Sequence, residues 1–393
     1  MSRKLADWID SYLQYAENSE PPESYKKWVA FSAIAAVLQR KCYLQWEGTI
    51  YPNMYIVLVG PSGSRKGTAM RPVERFLRDL QIKLSPESVT REQLVRRLNK
   101  ASEQSITPTG EVNMHASITI FSAELTVFLG YNNHQLMADL CDWFDCRDVW
   151  TYETKGSGQD HIINVWVNMI GGTTPRLLQT TLPQDAIGGG LTSRIIFVYE
   201  RGKGKKVLTP FLTRKEVTLE DSLMHDLEDI LLMQGEFVPD QSFIDCWINW
   251  YGDDNYNAEF SRDPRLAGYA ERRTIHLLKL SMILNASRDG DMVLTSRDFE
   301  RARFELTSIE KNMPMVFAGI GASDIADVTR AVTATICRYG EISFNELLGI
   351  HHDDADYEKL HRIVTTLIAI EKDGKKLFRM TDKIKQTIKY VGE

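Results

Sequence analysis

A glycine-bearing turn at residues 60–68, Gly-Pro-Ser-Gly-Ser-Arg-Lys-Gly-Thr, holds the residue types that cradle phosphate. Backbone N–H groups of such a turn, and of a helix that follows it, converge on an anion. Lys66 supplies a point charge for β- and γ-phosphates, and a Ser or Thr hydroxyl at the exit ligates Mg²⁺. The spacing departs from the G-x-x-x-x-G-K-[ST] pattern. Gly60 and Lys66 are correctly separated and Gly63 loosens the turn, but Arg65 stands where the second glycine belongs and Gly67 fills the hydroxyl slot. Thr68, one residue late, is the candidate metal ligand, and Arg65 could itself reach a phosphate. The phosphate-contacting set is therefore Gly60, Pro61, Ser62, Gly63, Ser64, Arg65, Lys66, Gly67 and Thr68. The bland alternative is a glycine turn beside a surface lysine. The strand-forming run from Tyr55 to Val59 that drives into the turn argues against it.

Nucleotide hydrolysis also needs a carboxylate at the end of a neighbouring strand, to hold Mg²⁺ or activate water. The β-rich run 117–121 is followed by Ser122, Ala123 and Glu124. Glu124 is the candidate catalytic base, and Ser122 could orient a metal-bound water. The acid usually found before such a Glu is missing. Glu124 could instead simply open the next helix, where a carboxylate favours the dipole. The apolar run 162–170 ends in Gly171, Gly172, Thr173, Thr174 and Pro175. Thr173 and Thr174 are candidates to sense a γ-phosphate, or one of them caps a helix. Arg194 closes the Gly188–Gly190 stretch and suits an arginine finger, a cation stabilising the transferred phosphoryl, often in a neighbouring subunit. A solvated surface arginine is the alternative.

Those residues need strands to carry them and helices to cover the strands. Helical spacing runs over 3–16 and 24–41, punctuated by Pro21 and Pro22, with a strand or hairpin arm over 42–51. From 53 to about 200, strands at 55–59, 117–121, 162–170 and 195–199 alternate with helices near 67–83, 89–103, 123–129 and 134–144. Residues 105–113 are polar and read as a loop. Such alternation predicts a mostly parallel sheet covered by helices, an α/β fold. Residues 216–318 are helix-dominated, and 323–393 read as helix, short helix, longer helix, then a turn at 372–375 and a strand, the order of a winged-helix module. The expected division is 1–50, a helical lead-in; 51–215, a P-loop ATPase core; 216–320, a helical extension; and 321–393, a winged-helix domain.

The 393 residues carry a net charge of −6, so any nucleic-acid contact needs local basic patches. One is Arg201, Lys203, Lys205 and Lys206, a basic loop expected to be mobile and able to follow a phosphate backbone. Another is the wing, Lys372, Lys375 and Lys376, although Asp353, Asp354, Asp356 and Glu358 make the start of the expected recognition helix acidic. DNA and protein contact are both open for that module. Five cysteines form no C-x-x-C pair and read as reduced thiols. His351, His352 and His361 lack the spacing of a metal site and read as surface histidines. No apolar run is long enough to span a membrane, and the first residues lack the core of a signal peptide. A cytoplasmic location is expected.

Taken in order, these pieces resemble a family of phage and prophage helicase-like P-loop ATPases, related to RecA-like and AAA+ replicative ATPases. The likeness covers about residues 24–315. It rests on Tyr51-Pro-Asn-Met, the 60–68 turn, Phe121-Ser-Ala-Glu, Trp143-Phe-Asp, Trp150-Thr-Tyr-Glu, Gly171-Gly-Thr-Thr-Pro, Gly188-Gly-Gly-Leu-Thr-Ser-Arg and Glu271-Arg-Arg-Thr. The resemblance implies an ATPase using ATP and Mg²⁺ at DNA replication of a mobile element, in the host cytoplasm if phage-encoded. It implies a replicative helicase or initiator, with single- or double-stranded DNA and replication proteins as partners. Its assembly would be a homo-oligomeric ring, favouring a hexamer, with ATP between subunits. Lys66 takes the place of the phosphate-binding lysine, Glu124 the catalytic carboxylate and Arg194 the finger, with Arg272 and Arg273 as a further phosphate sensor. A loader or recombination mediator that unwinds nothing, and a nucleotide-gated switch with slow turnover, are the rival expectations.

Overall fold

The structure, a computed structural model, describes residues 3–391 apart from 107–111, 155–157, 183–188, 210–213, 254–255, 257–262, 264, 289, 318–323, 353–354, 370, 373–374 and 383–386. The chain divides into two compact units, Met1–Phe317 and Ala318–Glu393.

In the first unit, α1 (Trp8–Tyr15) starts where the Asp7 side chain accepts from the Asp10 amide. α2 (Glu23–Leu38) follows Pro22. β1 (Cys42–Gln45) and β2 (Thr49–Ile50) form a small hairpin, and β3 (Tyr55–Val59) runs into the glycine turn and α3 (Lys66–Asp79). Then come α4 (Arg91–Lys100), β4 (Ser102–Ile106), β5 (Val112–Ser122), α5 (Leu125–Leu129), α6 (His134–Phe144), β6 (Val149–Thr154), β7 (Gly158–Ile163), β8 (Val165–Thr173), α7 (Pro175–Thr181) and β9 (Ile195–Tyr199). The unit closes with α8 (Arg214–Leu231), β10 (Gly235–Pro239), α9 (Gln241–Tyr251), α10 (Ala267–Arg288), β11 (Val293–Leu294) and α11 (Ser296–Glu310).

The main sheet has the order β4-β5-β8-β3-β9. β5, β8, β3 and β9 are parallel, and β4 is an antiparallel edge. Every residue of β3 and β8 is buried, which explains their near-continuous apolar sequence: a parallel strand with both faces covered shows no alternation. The expected α/β character with parallel strands is therefore present. The segment at 105–113 is not simply a loop. Ser105 pairs with Asn113 and Ile106 with Val112, extending β5 outward as half of a polar edge hairpin. The pair is held by backbone hydrogen bonds; β4, Ser-Glu-Gln-Ser-Ile, carries no apolar alternation, whereas Val112, Met114 and Ala116 of β5 alternate with polar residues. β6 and β7 make a second hairpin that element spacing did not indicate. The helix-dominated stretch after 216 also contributes strands. β10 pairs in parallel with β1, Cys42 beside Gly235, in a sheet ordered β11-β10-β1-β2.

α2 lies at the centre of this unit. From Trp28 to Leu38 every residue is buried, including Ser32 and the alanines 30, 33, 35 and 36. Its sequence shows a wide apolar face, and packing covers the remaining face too. The small alanines let backbones approach on several sides, and the Ser32 hydroxyl and carbonyl accept from Asn168 Nδ2 of β8 at 3.1 and 3.3 Å. Asn168 Oδ1 in turn accepts from the Met54 amide at 3.0 Å, fixing the residue before β3. Among the described residues no helix is long and apolar enough to cross a membrane.

The second unit contains α12 (Asp324–Tyr339), β12 (Glu341–Ser343), α13 (Phe344–His351), α14 (Tyr357–Ala369), β13 (Glu371–Lys372), β14 (Lys375–Lys376), β15 (Phe378–Asp382) and β16 (Thr387–Tyr390). Its antiparallel sheet is ordered β12-β16-β15, and β13 pairs with β14. A core of Val332, Ile336, Leu347, Leu360, Ile363 and Ile388 joins the three helices to the sheet. His351 is not a surface histidine. It is buried and shares a 3.0 Å hydrogen bond with Thr335 Oγ1, because helical spacing turns it inward.

Replacing the fully packed Trp28 by Ala should remove about 3–5 kcal/mol of stability. Urea unfolding of the full chain measures this, and a loss below about 1 kcal/mol would show that α2 is not the packing centre.

Candidate active site

The parallel register brings the expected residues to one edge. Val59 lies beside Thr173 on one side and Tyr199 on the other, while Ser122 lies beside Gly171. The Gly60 turn, Thr173 and Glu124 therefore all leave the sheet at its carboxyl end, where open α/β sheets bind ligands. β8 separates the turn-bearing strand from the strand that carries Glu124. Two strand spacings amount to about 10 Å, room for a phosphoryl group and a water between lysine and carboxylate.

Within the turn, Lys66 Nζ donates to Gly60 O at 2.8 Å, to Pro61 O at 3.1 Å and to Ser64 Oγ at 3.2 Å. Lys66 is buried as the first residue of α3, a helix whose opening amides have no intrahelical acceptor. Burial lowers the pKa of its ammonium, and the Glu124 carboxylate pulls it the other way. The lysine and carboxylate thus feel one another across the end of β8.

The missing second glycine has a structural answer. Arg65 adopts φ +67°, the left-handed conformation that glycine would occupy without strain. A non-glycine residue there costs on the order of 1–2 kcal/mol. Its guanidinium pairs with Glu20 of the lead-in at 2.6 Å, so the side chain is held away from the turn's interior. Arg65 is therefore engaged with a carboxylate rather than free to meet a phosphate. Gly60 is required by contact. A Cβ there would clash with Tyr25 Oη and meet Glu200 O at 2.8 Å. Tyr25, from α2, donates its hydroxyl to Val59 O at 2.7 Å, clamping the last carbonyl of β3 beneath the turn.

Gly172 has a part that spacing did not reveal. A Cβ on it would stand 2.9 Å from Ala123 O and 3.4 Å from Lys66 Cβ. The absent side chain lets the Ser122–Glu124 segment and Lys66 close over the end of β8. Ser122 is buried and its hydroxyl has no protein partner, an orphaned polar atom beside Gly171. Glu124 is exposed and precedes α5. Thr173 is fully buried at the strand end, and Thr174 caps α7 by accepting from the Leu177 amide at 3.3 Å. Of the two threonines, Thr174 is thus occupied by capping.

Other expected residues lie elsewhere. Thr68 is rotated two residues past Lys66, about 200° around α3, and lines a cavity with Tyr12, Tyr15 and Arg71 beside the lead-in helix. It does not join Ser122 and Glu124, which corrects its assignment as metal ligand. Ser62, Gly63 and Gly67 are exposed on the turn and first helical turn. Arg194 precedes Ile195, which pairs with Tyr55, so it lies at the opposite end of the sheet from its own turn. It is buried, paired with Asp145 at 2.5 Å and bonded to Gly190 O at 2.8 Å, not a solvated surface arginine; residues 186–188 of its loop are outside the described residues. Arg273 pairs with buried Glu310 at 2.8 Å, and Arg272 reaches Asp145 at 3.6 Å; neither meets the turn. The basic loop touches the lead-in at Gly204. The Gly204 amide donates to Glu20 O at 3.0 Å, and a Cβ there would meet Pro22 Cα at 2.9 Å. Arg201, Lys205 and Lys206 remain exposed, and Lys203 approaches Glu20 at 3.5 Å. Lys372 and Lys375 are register partners in the β13–β14 pair, as are Glu371 and Lys376; Asp353 and Asp354 are outside the described residues.

No family model matches the chain, and no curated protein matches it.

Gly172→Ala should cost about 1–3 kcal/mol by forcing Ala123 and Lys66 apart. Gly67→Ala meets open space in a helix and should instead gain up to about 1 kcal/mol. Parallel denaturation of both variants checks this pair, and equal effects would exclude the close approach at Gly172.

Proposed function

We propose that the chain is a P-loop ATPase with a RecA/AAA+-like core, acting as an ATP-dependent motor on DNA and assembled as a ring. The observation that carries this reading is the convergence at one sheet edge of the Lys66 turn, Thr173 and Glu124, with β8 standing between lysine and carboxylate. Strand order and register support it further, because a charged ligand at that edge would meet the open amides of α3 and the Lys66 ammonium together.

The residues present fit a Mg²⁺–nucleotide. Ser122 offers a buried hydroxyl without a protein partner, and Glu124 an exposed carboxylate on the same segment. Those two would hold Mg²⁺, while the 60–66 backbone and Lys66 would hold the phosphates. When bound, the ion supplies charge neutralisation at the transferred phosphoryl. Glu124 would accept the proton of the attacking water. Lys66 would exchange its bonds to Gly60 O, Pro61 O and Ser64 Oγ for phosphate oxygens. Thr173 would mark the end of the bound phosphate chain from β8. Arg194 stands the length of five-residue β3 away from its own turn, on the order of 15 Å, so it could serve only a site on a neighbouring copy.

In the second unit the three helices come in the order expected of a winged helix, with β12 between the first two and two strand pairs, β13–β14 and β15–β16, after the third. Within this proposal its β13–β14 lysines and the exposed Arg201, Lys205 and Lys206 are the DNA-contacting candidates. One observation favours a slower, switch-like nucleotide protein. Ser122 and Ala123 stand where a metal-binding acid would strengthen the site.

ATP hydrolysis measured with and without single-stranded DNA decides between these readings. Wild type should turn over faster with DNA, and Lys66→Ala should neither bind nor hydrolyse. Glu124→Gln should keep binding while losing about 100-fold or more in rate. Unchanged turnover in Glu124→Gln would remove its assignment, and binding without turnover in wild type would favour the switch. For Arg194, mixing Lys66→Ala with Arg194→Ala chains should restore part of the turnover each lacks alone. Failure of the mixture to recover any activity would refute a role in trans.

A further inference from the structure

The amino end of the main sheet also gathers charge beside aromatic rings. Two adjoining clefts there share a wall of Thr49, Ile50 and Ile275. The larger, of about 410 Å³, is lined by Trp46, Trp247 and Tyr251, with Glu47 on its rim. The smaller, of about 170 Å³, is lined by Asp145, Arg272 and Lys279. α10 builds both. Arg272, Ile275 and Lys279 line one cleft, while Thr274, Ile275 and Leu278 line the other. Both clefts lie within the first unit.

The aromatic half is a cluster of partly exposed rings. Trp46 meets Trp247 edge to face at 4.9 Å, and Trp247 stacks on Tyr251 at 5.4 Å with an interplanar angle of 24°. Tyr251 is 51% exposed. A hydrophobic core would cover these rings, whereas here they wall a cleft open to solvent.

The charged half is unbalanced. Arg194 and Arg272 both address Asp145, at 2.5 and 3.6 Å. Lys279 is buried close by, its ammonium held by Tyr51 O and Asn53 Oδ1 and stacked over the Phe144 ring at 4.4 Å. Asp145 is the one carboxylate lining this smaller cleft among the described residues. Three cations near one carboxylate leave an excess of positive charge; Arg194 and Lys279 are buried, while Arg272 is about a third exposed, where an anion can reach it. Burial pushes the Lys279 ammonium down to about 8, and the neighbouring Arg272 and Arg194 add to that displacement.

We propose that the paired clefts form a second nucleotide site, in which a base lies against Trp46, Trp247 and Tyr251 and its phosphate meets Arg272. Glu47 suits a base with an exocyclic amino group, which would donate to its carboxylate. The required chemistry is an aromatic base joined to an anionic phosphate, supplied either by a free mononucleotide or by a unit of a single strand. The site stands apart from the Lys66 turn, at the other end of β3, and does not depend on ATP hydrolysis there.

The test uses the full chain carrying Lys66→Ala, so that the phosphate turn is silenced. The probes are AMP and a fluorescently labelled single-stranded oligodeoxyadenylate, followed by calorimetry and by anisotropy. Binding of at least one probe should survive Lys66→Ala. It should weaken by about fivefold or more in Tyr251→Ala, the loss expected for one stacked base, and by a comparable factor in Arg272→Gln. Thermal melts of both variants show that they remain folded, and Trp247→Phe should keep most of the affinity. AMP binding alone identifies a mononucleotide site, and oligomer binding alone identifies a strand site. Failure of both probes to bind, or affinity unchanged in both Tyr251→Ala and Arg272→Gln, would overturn the proposal. A chain that binds a probe here yet never hydrolyses ATP would overturn the ATPase reading and leave this site standing.

Discussion

The burial of α2 against the main sheet is the interaction on which the rest of the first unit depends. A helix covered on all sides must match each neighbour in shape, and α2 does so with alanines where backbones come close and with Trp28 and Phe31 where space remains. Two polar contacts turn this packing into position. Ser32 holds Asn168 in the middle of β8, and Tyr25 holds the final carbonyl of β3. Burying such groups is tolerable only because each is hydrogen-bonded, so their geometry is narrowly set. The 60–68 turn inherits that geometry, since Gly60 follows the clamped carbonyl directly.

The same packing explains how an irregular turn can stand. Arg65 occupies a backbone conformation suited to glycine, and the lead-in segment that precedes α2 supplies the Glu20 carboxylate that engages its side chain. Gly172 compensates in the other direction. It removes a side chain where the Ser122–Glu124 segment, β8 and Lys66 crowd together. Departures at individual positions of a motif are thus absorbed by contacts distant in sequence, which is why the turn cannot be judged from its own residues.

One sheet organises two chemically distinct ends. At the carboxyl end, a lysine turned back on backbone carbonyls faces a carboxylate across β8. At the amino end, Arg194 and Arg272 address Asp145, with buried Lys279 lining the same cleft and Trp46 and Trp247 in the adjoining one. Strand direction separates them. Residues that precede β9 cannot reach the place where β3 ends, so Arg194 and Lys66 belong to different surfaces of one copy.

What the sequence by itself determined was local and periodic. The continuous apolar runs of β3 and β8, the Gly60–Lys66 spacing and the helix-strand alternation are all written in neighbouring residues. They suffice for a parallel α/β sheet and for Lys66, Thr173 and Glu124 as candidates. The tertiary structure decided what depends on distant partners. The β1–β10 pairing joins segments that no local pattern connects, and β4, a polar run without apolar alternation, becomes a strand only by pairing with β5. Thr68 was legible as a hydroxyl near the right place, yet its angle around α3 sends it to another cavity. Gly172, Tyr25 and the Asp145 cluster were invisible in sequence for the same reason. Their roles lie in close approach and unbalanced charge, quantities that exist only once the chain has folded.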